Sequence, residues 1–326
     1  MFIRLISLII IFTSLAACSS APTKQAQHLA ALDTYYDYII YDPTNQQTID
    51  NTDQLAHLLT NSSVVLFGEF HSQPAIHLAQ LRLFQSLYAQ QHDLSLSMEQ
   101  FDRSQQAIVN RYLANEIGEA WLIKQTNAWP NYPSDYRPLV EFAKQHELRV
   151  VAANAPKKLV SCIGQQGQTY IDTLPTAERA MLAETFTRDD PDYKERLFGN
   201  GHHGDQAQAD NHFLAMLAWD ETMAESVVTE LAHGASKQVM HIAGNFHVDM
   251  QQGTYSRIKQ RLNNQTISSI VAIDQAEFAQ LDEQQKALKG DYLIVVKQLP
   301  IRYQQQEHQM AEYSAINKNK INSCKK

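Results

Sequence analysis

Four short motifs carry the residue types that can move protons or bind a ligand. Glu69 and His71 stand in Gly68-Glu69-Phe70-His71, with His77 six residues on. Glu99 follows a short apolar run, Asn154 sits in AANAP, and His247 closes Gly244-Asn245-Phe246-His247. A carboxylate two residues from an imidazole along an extended chain points to the same side. Such a pair suits general acid–base work, or ligation of a divalent transition metal by Glu69, His71, His77 and His247. Glu69, His71, Glu99 and His247 are therefore the candidate catalytic residues, and Glu99 is the candidate general base. The alternative for any single His is a hydrogen-bonded structural side chain, and for Glu99 a helix cap or an Arg partner. G-x-x-H also occurs at Gly199-Asn200-Gly201-His202, but only the copies at 68–71 and 244–247 follow a strand-like segment.

The elements that must position these groups are legible. Ser63–Phe67, Leu94–Met98, Leu148–Ala152, Gln238–Ala243, Ser268–Ile273 and Tyr292–Lys297 are short, mostly apolar runs, as strands buried on both faces should be. Helical patterns at Pro74–Gln91 and 135–146 lie between the early ones. The fold class expected is α/β, a mostly parallel sheet flanked by helices with right-handed crossovers. Each polar motif then follows the C-terminal end of a strand, where open α/β sheets bind ligands. Pro74 suits a first helical turn, and His77 shares a stripe with Leu81, Phe84 and Tyr88, facing inward.

Residues 156–235 hold no clear strand and read as a helical insertion over that sheet edge. Its long helix, near Gln206–His233, carries Asp220 inside an apolar stripe. A buried carboxylate needs a partner, either a site His, an Arg or backbone donors, or it braces the insertion. His202 and His203, flanked by glycines, are haem- or metal-ligand candidates or simply solvated. Residues 41–300 are expected to be one domain, and 301–326 a polar tail.

The N-terminus reads as an address. Arg4 precedes an apolar run, Leu5–Leu15, shorter than the roughly 20 residues that span a bilayer. Leu15-Ala16-Ala17-Cys18 then resembles a bacterial lipobox, so 1–17 is expected to be a signal peptide and Cys18 the lipidated residue. Ser19 after it favours the outer membrane. Residues 18–40 form a tether and a Tyr-rich cap. Cys162 and Cys324 remain, and an oxidising compartment would allow them to pair. The chain of 326 residues has a formal charge of −8, which disfavours nucleic acid as a partner. No Walker loop, dinucleotide turn, G-x-S-x-G, H-E-x-x-H or C-x-x-C occurs.

Together GEFH with its following His, MEQFDRSQQ (98–106), the run from Trp129 to Pro156, WDETMAESV (219–227) and GNFHVD (244–249) resemble the ChaN family of bacterial haem-binding lipoproteins. That family sits in a wider group with erythromycin esterase and TIKI/TraB proteins. The resemblance implies haem as cofactor and partner, a role in haem or iron acquisition, tyrosine ligation and a homodimer. Tyr170 and Tyr193, in the insertion, are the tyrosine candidates. The wider group implies the alternative, a metal-dependent envelope peptidase or esterase.

Overall fold

A computed structural model describes residues 31–199, 201, 204–234, 236–262, 264–320 and 324. The lipobox cysteine Cys18 and the loop residues His202 and His203 lie outside the described residues.

The chain opens with an antiparallel hairpin, β1 (Tyr38–Asp42) and β2 (Gln47–Ile49), followed by helix α1 (Thr52–Leu58). Then come β3 (Ser62–Glu69), α2 (Pro74–Gln90), β4 (Leu94–Asp102), α3 (Gln106–Leu113), α4 (Glu119–Thr126), α5 (Arg137–Gln145) and β5 (Arg149–Asn154). Five helices follow: α6 (Lys157–Gln166), α7 (Gln168–Asp172), α8 (Thr176–Arg179), α9 (Pro191–Phe198) and α10 (Gln206–Ala232). The chain ends with β6 (Gln238–Gly244), α11 (Thr254–Arg261), β7 (Thr266–Asp274), α12 (Gln275–Gln280), α13 (Glu283–Lys289), β8 (Tyr292–Val296) and α14 (Gln306–Lys320).

One eight-stranded sheet has the order β2-β1-β8-β7-β3-β6-β4-β5. Strands β3 to β8 are mutually parallel, and β1 joins β8 antiparallel. The α/β class and mostly parallel sheet expected from the sequence are what the chain forms. All six expected strands are present. The hairpin β1–β2 adds an antiparallel margin to the sheet at the stretch expected to cap the domain.

Period-two alternation builds a core on each face. Val65 and Phe67 of β3 join Leu96, Met98, Met240 and Ile242 on one side. Val64 and Leu66 join Val239, Val271 and α10's Ala224 and Val227 on the other. The two central strands thus have no solvent face, which is why they read as unbroken apolar runs. The tail is not simply polar coil. Residues 306–320 form α14, in keeping with its Gln, Glu, Met, Ala and Lys content. Cys162 of α6 is joined by a disulfide to Cys324.

Candidate functional site

Strands β3, β4 and β6 end side by side, and their ends build two imidazole–carboxylate pairs. The first sits on β3. Glu69, 2% exposed, is the last strand residue, and His71 lies two residues on. His71 Nδ1 meets Glu69 Oε1 at 2.8 Å. The same oxygen accepts from the Tyr136 hydroxyl at 2.6 Å and from Gln100 Nε2 at 3.1 Å. Gln80 Nε2 donates to Oε2 at 2.8 Å. Burial alone would push the Glu69 carboxyl up. The His71 hydrogen bond, the neighbouring imidazoles and the Tyr136 hydroxyl outweigh it and hold the group below its ordinary value. For His71, burial works against the cation, but the Glu69 and Glu99 carboxylates raise its pKa.

The second pair joins β6 to α10. His247 Nδ1 meets Asp220 Oδ1 at 2.7 Å, and Thr254 donates to that oxygen at 2.9 Å. The Tyr193 hydroxyl donates to Oδ2 at 2.6 Å. Asp220 is fully buried, so each of its oxygens needs such a donor. Burial again opposes the His247 cation. Asp220 and Glu99 overcome it, and the imidazole is pushed up to about 9.

Glu99 lies between the pairs. The backbone N–H of Gly244 donates to its Oε2 at 2.5 Å, and its Oε1 stands 3.8 Å from His247 Nε2. A Cβ on Gly244 would come within 3.1 Å of His71 Nε2 and 3.5 Å of Glu99 Oε2. Glycine at 244 therefore lets both side chains close over the end of β6. Asn154 at the end of β5 donates to the Glu99 carbonyl at 3.0 Å, fixing that backbone. Aromatic rings wall the mouth: Trp129 stands edge-on to His71 at 4.9 Å, and Trp219 to His247 at 6.4 Å. With both Nδ1 atoms held by carboxylates, the two Nε2 atoms are left for the mouth. This is the arrangement that orients an imidazole for proton transfer or for ligation.

The structure thus brings together Glu69, His71, Glu99 and His247, with Asn154 and Asp220 in support. It does not make Glu69, His71, His77 and His247 a metal cluster. Among the described residues no group of three or more His, Cys, Asp or Glu side chains is placed to hold a metal ion. Glu69 is spent on four donors, and His77 Nδ1 turns to Gln80 at 3.0 Å, staying 3.8 Å from Glu69. Tyr193 is corrected as a haem-ligand candidate. It is fully buried, and its hydroxyl is committed to Asp220. Burial and that carboxylate raise its pKa far above the usual phenol value, so it stays a donor. Tyr170 remains half-buried on the insertion's apolar cluster with Leu174, Met181, Phe186 and Trp219.

Gln80, Gln100, Tyr136 and Thr254 escaped the sequence reading. Gln80 carries a usable signal, a fully buried polar residue one turn after His77 on a mostly apolar helix face. Tyr136 comes from the turn before α5 and Thr254 from the first position of α11, and no spacing links either to its carboxylate.

The family described as haem-binding uptake, Tiki superfamily, ChaN matches residues 55–258, well over half of the chain. No curated protein matches the sequence significantly. Among solved structures, ChaN of Campylobacter jejuni, described with cofacial haem binding, is similar with a TM-score of 0.61 and 18% identity. That similarity covers 80% of this chain and 98% of that one. An erythromycin esterase in its open conformation has a TM-score of 0.42 and 11% identity, over 73% of this chain and 77% of that one. The first likeness is one of fold. By the family match, the chain belongs to the ChaN haem-binding family of the Tiki superfamily.

Proposed function

We propose that the protein is a haem-binding lipoprotein of the bacterial outer membrane, anchored through Cys18 and serving haem or iron acquisition. The family match across 55–258 carries this reading. The lipobox and a Cys162–Cys324 disulfide, suited to an oxidising compartment, support the location.

The donor chemistry at the insertion fits haem. Among the described residues no carboxylate engages the Tyr170 phenol by hydrogen bond, and Tyr170 lies on an apolar cluster that reaches the mouth through Trp219. Arg196, its guanidinium 4.5 Å above Phe246 and donating to the Asp249 and Phe246 carbonyls and to Gln252, leaves a net positive charge beside the mouth that would favour propionates. Bound haem would supply an iron that takes a protein ligand, and Tyr170 would hold it from this chain. The protein's own part is to present the phenol, cover the apolar ring faces and keep the two imidazoles oriented. A homodimer would follow if haem is shared between copies.

Haemin added to the purified chain should give a Soret band that saturates at a defined stoichiometry, and Tyr170→Phe should weaken binding at least tenfold. No saturable band overturns the reading, and an unchanged Tyr170→Phe overturns the ligand. Labelled palmitate should enter the wild type and not Cys18→Ser.

One observation favours a second reading, an envelope peptidase or esterase: the paired Nε2 atoms on either side of Glu99. His247, protonated at neutral pH, would donate a proton to a leaving group, while Glu99 or His71 takes one from water. Hydrolysis of simple esters or peptides, lost in Glu99→Gln, tests it with and without added transition metal.

A further inference from the structure

One corner of the strand-end rim is apolar and faces solvent. Strand β1 runs antiparallel to β8 with Tyr38 opposite Val296, so the residues before β1 and those after β8 lie at the same end. That end carries Glu69 and Gly244, because β8, β7, β3 and β6 are parallel. Contacts fasten the corner together. Lys297 Nζ donates to the Asp33 carbonyl at 2.8 Å and stands 5.5 Å from the centre of the Tyr35 ring. Gln73, two residues after His71, donates from Nε2 to the Lys297 carbonyl at 2.8 Å and so joins the corner to the β3 side of the mouth.

The outer side chains of the corner are Tyr35, Tyr36, Leu299 and Ile301, which are 38, 63, 38 and 73% exposed. A lone exposed apolar residue needs no explanation, but four on two adjoining segments make a patch that a partner would cover. The charges around it are mixed. Lys297 and Arg302 are set against Asp33, Asp37 and Glu312, and Arg302 is paired with Glu312 at 2.6 Å. The Thr34 N–H donates to Asp37 at 2.6 Å and holds that carboxyl below its ordinary value. What covers the patch is therefore held by apolar contact and not by charge.

The chain itself indicates the partner. On the lipoprotein reading Cys18 carries acyl chains, and 13 residues lead from it to Ala31. Fully extended they reach at most about 45 Å. Residues 33–36 follow directly, so this corner is the part of the body that the anchor holds closest to its bilayer. Tethering makes the contact intramolecular, with an effective concentration high enough for a small patch to engage. Tyrosine rings suit the headgroup level, and Leu299 and Ile301 suit the acyl boundary beneath it. We propose that Tyr35, Tyr36, Leu299 and Ile301 form a membrane-contact surface, which seats this corner on the bilayer that anchors the chain and sets the mouth beside the lipid headgroups.

The proposal rests on the lipoprotein reading, and its test separates the two. The lipidated full chain is reconstituted in phosphatidylcholine vesicles with an environment-sensitive dye on Ile301→Cys or, as control, on Leu58→Cys. Leu58 is 51% exposed and ends α1 just before β3 begins, at the opposite end of the strands. Quenching by nitroxide-labelled lipid is read at each position, and mass spectrometry reads the acyl chains on Cys18. The dye at position 301 should be quenched at least twice as strongly as the dye at position 58, with or without added phosphatidylglycerol. Tyr36→Asp combined with Leu299→Asp should bring it down to the level at position 58. Equal quenching at the two positions of an acylated chain overturns the proposal and leaves the anchor standing. A missing acyl chain removes the anchor and the proposal together. Quenching that needs anionic lipid contradicts an apolar contact. A dye at position 301 that shifts to the blue with rising chain concentration, in the absence of vesicles, assigns the corner to a second copy and overturns the proposal as well.

Discussion

The β3 pair and the β6 pair use the same parts differently. Each has a buried carboxylate, an imidazole bound through Nδ1, and a tyrosine hydroxyl at 2.6 Å. The Glu69 carboxylate, however, draws on side chains of α2, β4 and the turn before α5, and its imidazole is 45% exposed. Among the described residues the Asp220 carboxylate has fewer donors, and Tyr193 alone serves its Oδ2. Its imidazole is 9% exposed. The pairs thus separate two tasks. The β3 pair offers an open imidazole on a redundant cradle. The β6 pair stores a charge in the interior and ties β6, α9, α10 and α11 together.

That contrast ranks the mutations. Asp220→Ala leaves His247, Tyr193 and Thr254 buried without their acceptor, and should cost about 3–5 kcal/mol in denaturant unfolding. His71→Ala removes a half-exposed ring and should cost about 1 kcal/mol. If His71→Ala melts far below Asp220→Ala, the assignment of brace and open site is reversed.

The pH dependence sharpens it. His247 is raised on folding from near 6.5 to about 9. Its contribution is therefore complete below about pH 6.5 and disappears as pH climbs through about 9, a loss on the order of 3 kcal/mol. Unfolding measured between these limits should show that fall in the wild type and a much flatter profile in Asp220→Asn. A flat wild-type profile would mean that His247 is not held as a cation.

Smaller effects separate the cradles. Tyr193→Phe strips Oδ2 of Asp220 of its donor and should cost about 2 kcal/mol, whereas Tyr136→Phe leaves Glu69 three other donors and should cost about 1 kcal/mol. Equal losses in chemical denaturation would contradict the difference in redundancy. Read by imidazole NMR and not by stability, Glu69→Gln should bring the His71 pKa back down toward its ordinary value.

Much of this was legible in the chain. Strands buried on both faces announce themselves as apolar runs, and motifs at their ends placed Glu69, His71, Glu99 and His247 at one rim. Asp220 was visible because a carboxylate on an apolar stripe demands a partner. Its choice between His247 and a structural brace was not visible, and it turns out to serve both. Tyr136, Thr254 and Gln100 were illegible because their contacts join elements far apart in sequence. The same blindness put Tyr193 among the ligands: a tyrosine in an insertion shows nothing of whether its hydroxyl meets iron or a carboxylate. The pairing of Cys162 with Cys324 likewise depends on where the tail runs, which no local pattern encodes.

The most direct test of haem binding at this mouth is imidazole NMR of the chain with and without haemin. His71 and His247 signals should broaden together as the Soret band saturates, while exposed His92, at the other end of the strands, keeps its line width. A saturating Soret band that leaves both signals sharp would place haem elsewhere, and no saturable band at all would contradict the function proposed.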